Sequence, residues 1–135
     1  MLMAHAANLP CYTDPMHVIR TPESVASVET QFFVGAVHVQ PVVAPEDGLD
    51  IVLVRFSPGA RTFLHTHHVP QVLHCTEGRG ILATRDEQHL VEPGDVVYVP
   101  AEEEHWHGAV ADSPFVHLSV RPPGETTWTR VDPLA

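Results

Sequence analysis

From Gln31 onward the chain is cut into short runs of Val, Ile, Leu and Phe by Gly, Pro and Asp, and no stretch of about ten residues carries a helical period. Strands are predicted near 32–39, 50–57, 61–67, 71–76, 80–85, 88–91, 96–99, 105–110 and 115–121. Breaks fall at Pro45-Glu46-Asp47-Gly48, Ser57-Pro58-Gly59, Glu77-Gly78-Arg79-Gly80, Arg85-Asp86-Glu87 and Pro93-Gly94-Asp95. Such regular turn spacing reads as an antiparallel barrel or sandwich. Three of the thirteen prolines, Pro45, Pro58 and Pro93, sit at these breaks, where no ladder hydrogen bond is lost.

A length of 135 residues fits one domain with one hydrophobic core. We divide it into an N-terminal extension (1–30, with one helical turn at Thr21-Pro22-Glu23), a barrel (31–122) and a C-terminal tail (123–135). The net charge is −10, with seven Arg and no Lys. This excludes a basic surface for nucleic acid or anionic membrane, and it excludes Schiff-base chemistry by a lysine. Cys11 and Cys75 are too few for a disulfide framework or a thiolate zinc site. The opening residues lack the basic and apolar regions of a signal peptide, and no run approaches the ~18 apolar residues of a membrane span. The expected location is the cytoplasm.

Eleven histidines turn the search to metals. On a strand, residues two apart share a face, so His65 and His67 point together, roughly 7 Å apart at Cα. Gln71 keeps that parity and can offer its amide oxygen. A further donor must come from elsewhere, and His105 in Glu104-His105-Trp106-His107-Gly108 is placed to supply it. His107 shares its face. Three inward histidines are hard to satisfy in a core without a metal.

These residues resemble the cupin superfamily. Gly59, His65, His67 and Gly78 match its first motif, with Gln71 where Glu is usual. Gly94-Asp95 through Pro100 to His105 resembles the second, with Glu102 and Ala109 where Gly and Asn are frequent. The fold implied is all-β: a single-domain cupin, a double-stranded β-helix or jelly-roll barrel. Phe33-Val34-Gly35, Phe56-Ser57-Pro58-Gly59-Ala60-Arg61-Thr62, Pro93-Gly94-Asp95-Val96-Val97-Tyr98 and His105-Trp106-His107-Gly108-Ala109 resemble small bacterial cupins with a three-histidine, one-glutamine site. That group includes manganese-dependent hydroxynitrile lyases. The resemblance implies His65, His67, Gln71 and His105 as ligands of one divalent metal, and His107 and His117 near the substrate.

Three imidazoles and a neutral amide leave the full charge on the ion, making it a stronger Lewis acid than a carboxylate-bearing site would. Manganese comes first, with Fe, Ni, Co and Zn compatible with the same donors. His107 or His117 would move a proton, or His107 would instead hold a ligand by a hydrogen bond. Val52, Val54, Phe56 and Phe63 are expected to line the substrate pocket, Cys75 to fill the interior, and Arg61 to pair on the surface or steer an anion. The reading placed first is a lyase on a small organic substrate. A cupin dioxygenase and a non-catalytic metal- and ligand-binding barrel are the alternatives. Small cupins of this kind pair as homodimers, here through the strand at 32–39.

Overall fold

The computed structural model describes residues 15–23, 27–29 and 31–135. Most of the N-terminal extension, including Cys11, lies outside them. The predicted turn at Thr21–Glu23 is a 3-10 turn. Thirteen strands follow among the described residues: β1 (Ser27–Glu29), β2 (Phe33–Val34), β3 (Val37–Val43), β4 (Asp50–Phe56), β5 (Arg61–Thr62), β6 (His65–His67), β7 (Gln71–Gly78), β8 (Gly80–Ala83), β9 (Gln88–Val91), β10 (Val96–Val99), β11 (Trp106–Ala109), β12 (Phe115–Arg121) and β13 (Thr126–Trp128).

One sheet has the order β1-β3-β4-β12-β7-β10 and the other β2-β5-β11-β8-β9, with β6 and β13 forming a ribbon. Every pairing is antiparallel. The result is a jelly-roll barrel of the cupin kind. Period-two burial drives it: on β7, Gln71, Leu73 and Cys75 are buried while Val72, His74 and Thr76 are exposed.

The interior is graded along its length. Val37, Phe56, Leu73, Cys75 and Phe115 fill one end, with the Phe56 and Phe115 rings stacked at 5.9 Å. Burying each large side chain contributes about 1.5–3 kcal/mol. Two residues further on, the same inward faces turn polar or open. Beyond Phe115 on β12 come His117, Ser119 and Arg121, and the inward residues of β4 run from Phe56 through Val54 and Val52 to Asp50. One end of the interior is therefore packed, and the other is lined by His117, Ser119, Arg121 and Asp50.

Local chemistry explains the departures from regularity. Pro41 lies within β3 yet breaks nothing, because β1 pairs only with Val37 to Val39 and a bulge follows Pro41 on the β4 side. Gly78 has φ +70°, and a Cβ there would meet the Pro114 carbonyl at 1.8 Å, so only glycine closes that turn. The predicted strand 61–67 is two strands, broken at Phe63-Leu64. In the stretch 32–39, Val37 and Val39 point into the core, so it offers no exposed apolar stripe. Exposed large apolar side chains on the strands are instead Val72, Leu90, Val96 and Tyr98, with Met16, Val18, Leu49, Val131 and Leu134 exposed outside them. Residues 123–135, expected as a tail, carry β13, which pairs Thr126 with His67 and Trp128 with His65. No described helix is long and apolar enough to cross a membrane.

Candidate metal centre

Two backbone devices bring the histidines together. β6 places His65 and His67 on one face, both buried. An isolated bridge then sets His105 directly across from His65, with N–H···O distances of 3.0 and 2.9 Å. The turn before His105 closes through Glu102, which adopts a left-handed φ of 69° where the family often has glycine. Its backbone N–H donates to the His67 carbonyl at 2.8 Å, and its carboxylate accepts from His68 at 3.1 Å. Those bonds offset the ~1–2 kcal/mol cost of a non-glycine residue there.

Each imidazole is held by its Nδ1. His65 donates to the Phe63 carbonyl at 2.9 Å, His105 to the Glu103 carbonyl at 2.9 Å, and His67 to the Thr126 hydroxyl at 2.8 Å. The carbonyl acceptors fix the tautomers of His65 and His105 and leave their Nε2 atoms as bare lone pairs. At His67, where the hydroxyl could donate or accept, the buried Nε2 without a partner is the atom suited to carry the lone pair. One ring nitrogen from each of the three lies within 4.8 Å of the others. His67 Nε2 is buried and has no protein partner. Gln71 donates through Nε2 to the Ser119 hydroxyl at 2.8 Å, and its Oε1 stands 3.2 Å from His105 Nε2.

Burial holds these rings neutral. The largest cause lowering all three pKa values is desolvation; repulsion from the other two imidazoles adds to it at His65, and the Arg121 charge adds to it at His67, which falls to about 3. Three deprotonated nitrogen donors and an amide oxygen, none with a hydrogen to share, are the donor set of a divalent transition metal.

His107 and His117 form a second pair beside this cluster. His117 Nε2 lies 3.0 Å from His107 Nδ1, and His117 Nδ1 is buried without a partner. Either ring can donate across this contact, and a His107 that donates through Nδ1 keeps its Nε2 as a lone pair. Burial lowers both pKa values, that of His117 to about 3.

His65, His67 and Gln71 of the first cluster and both rings of the second line a cavity of about 410 Å3, a size suited to a small organic ligand. Its apolar wall is Phe32, Phe33, Val39, Val52, Val54 and Trp128. Val52 and Val54, expected from the sequence to line a pocket, are part of this wall. Phe56 sits one layer deeper, its ring 5.8 Å from His107 and 5.6 Å from His117. Phe63 does not line the cavity: the break at Phe63-Leu64 shifts the parity, so that Thr62 and His65 both face inward. Arg61 makes a two-pronged pair with Asp132, at 2.8 and 2.6 Å, and Cys75 is buried.

Sequence reasoning missed Ser119, Arg121, Asp50, Thr126 and Trp128. The first two share inward parity with His117, which is a legible signal. Thr126-Thr127-Trp128 is too short a run to read as a strand. Trp128 stacks on His65 at 4.4 Å and on Phe32 at 4.5 Å, closing the wall over His65.

Residues 52–121 match the family described as the cupin domain. An (R)-mandelonitrile lyase of Granulicella tundricola is 40% identical over 94 residues, which cover 67% of this chain and 71% of that protein. A cupin-like protein from Thermotoga maritima superposes with a TM-score of 0.74 at 31% identity, covering 86% of this chain and 89% of the other. The polyketide cyclase RemF from Streptomyces resistomycificus shares the fold, with a TM-score of 0.75 at 17% identity over 87% and 88% of the two chains.

Proposed function

Because the chain belongs to the cupin family, we propose that it is a metal-dependent lyase cleaving and forming cyanohydrins of small aldehydes. The site would hold one divalent transition metal, manganese first, through His65, His67, Gln71 and His105. The observation that carries this is the unshared lone pair of His67 Nε2 beside the facing pair of Gln71 Oε1 and His105 Nε2. The likeness to the mandelonitrile lyase supports the choice of reaction.

Bound there, the ion supplies Lewis acidity undiminished by any carboxylate ligand. The chain's own residues do the rest. His107 faces the cavity and takes the hydroxyl proton as the carbon–cyanide bond breaks with its electron pair on cyanide. The hydroxyl carbon becomes a carbonyl, and the proton returned from His107 gives hydrogen cyanide. His117 holds the His107 ring and its tautomer by the 3.0 Å contact. Phe32, Phe33 and Trp128 keep water from the aldehyde.

The test is metal analysis of protein purified without chelator, beside His67→Ala, followed by a mandelonitrile cleavage assay. We expect about one metal per chain, lost in the variant, and benzaldehyde release that requires it. Protein that stays empty after reconstitution with Mn, Fe, Ni, Co and Zn overturns the reading. Metal binding with oxygen uptake and no aldehyde release assigns the site to oxygen chemistry instead.

A further inference from the structure

The cavity has a second polar end that the proposed chemistry does not use. Inward positions on β12 step from His117 to Ser119 to Arg121, about 7 Å per step. Ser119 holds Gln71, so Arg121 stands one step beyond the metal-ligand cluster, on the wall of the same cavity. It is cross-strand partner to Asp50. Both side chains are buried, Arg121 at 9% and Asp50 at 6% exposure, with Nη2 2.8 Å from Oδ2. Nη1 donates to the Gly124 carbonyl at 3.0 Å.

Five N–H donors make up a guanidinium, and these contacts use only two of them. Arg121 is among the residues lining the cavity, so its remaining donors are placed to meet a ligand there. Asp50 grips a single nitrogen and leaves an edge of the planar fork free for a second carboxylate. Burying a guanidinium is costly, and here it faces a ligand cavity whose other walls are largely apolar. Its charge reaches the metal cluster, since it depresses both His67 and His65.

We propose that Arg121 is a specificity residue that selects substrates bearing a carboxylate, on the side of the molecule away from the metal-binding oxygen. This rests on the proposed metal site for the orientation of the substrate, but not on cyanohydrin turnover. A molecule that fits has a hydroxyl or carbonyl at one end, a short apolar or aromatic body, and a carboxylate at the other.

The probes are 4-(hydroxymethyl)benzoate and its neutral analogue 4-(hydroxymethyl)benzamide, titrated calorimetrically against manganese-loaded and chelator-treated protein. We expect the benzoate to bind at least tenfold more tightly than the benzamide in both forms. Arg121→Gln removes that preference and leaves the metal content unchanged. Because R121Q strands the Asp50 charge, the double variant D50N/R121Q is measured beside it and is expected to lose the preference equally. D50N alone, with Arg121 no longer neutralised, binds the benzoate more tightly than wild type. Equal affinity for the two probes in wild type, or a preference that survives in D50N/R121Q, overturns the proposal. A preference that is present without cyanohydrin cleavage upholds Arg121 and refutes the lyase reading alone.

Discussion

Gln71 Oε1 lies 3.2 Å from His105 Nε2, and neither atom has a hydrogen to give the other. Two lone pairs held that close repel unless a cation sits between them. A neutral donor at this position also leaves the cation's charge intact. Gln71→Glu is therefore expected to tighten metal binding and to slow the reaction. Metal analysis will show full occupancy, with kcat for cyanohydrin cleavage at least tenfold lower. An unchanged kcat would show that ligand charge does not set the rate.

Thr126 reaches the metal cluster only through His67. Its hydroxyl accepts the Nδ1 hydrogen at 2.8 Å, while its backbone belongs to the β13–β6 pairing. Thr126→Val keeps the shape and the strand but removes the acceptor. Metal affinity is expected to fall about 10–100-fold, as for other residues that orient a histidine ligand. Competition against a fluorescent chelator measures it, and circular dichroism checks that the barrel is intact.

How far the sequence carries can be argued from these same residues. Parity along β6 places His65 and His67 together, because an uninterrupted strand preserves the side-chain period of two, while Gln71 opens a separate strand, β7, and faces inward by the parity of that strand. The same rule fails at Phe63, where two irregular residues shift the register and turn the ring away from the cavity. His105 is legible as a ligand, but its bridge to His65 is a long-range pairing that local pattern does not encode. Thr126 and Trp128 act from a three-residue strand that has no core of its own and exists only because β6 is there to pair with. Arg121 could have been read from the His117-Ser119-Arg121 alternation, had its partner Asp50 been placed opposite.

Acid should destabilise the metal-free protein well above the pH at which carboxylates titrate. His67 and His117 have folded pKa values of about 3, lowered first by burial, against about 6.5 for an unfolded histidine. As pH falls below 6.5 the unfolded chain binds protons that the folded chain refuses. Stability is thus fully present above pH 6.5 and declines toward pH 3, by about 1.4 kcal/mol per pH unit for each such ring. Urea midpoints of chelator-treated protein at pH 7.5, 6.5, 5.5 and 4.5 test this. The expected result is a plateau between the first two and a steep fall thereafter, and a midpoint that holds steady to pH 4.5 rules the mechanism out.

The last prediction separates positioning from proton transfer. His117 lies among Phe56, Phe115 and His107, with ring centroids 5.6, 5.5 and 4.8 Å away. His117→Phe suits that apolar setting but leaves His107 Nδ1 without its partner at a cost of about 1–3 kcal/mol. The His107 tautomer is then unfixed, so kcat/KM for cyanohydrin cleavage should drop about 100-fold, within the range general acid–base groups supply. Metal content should not change. If His117 acts only through His107, its loss adds nothing once His107 is gone. The double variant His107→Ala/His117→Phe should then be no slower than His107→Ala alone. Rates that multiply in the double variant would instead give His117 a contact of its own with the reacting atoms.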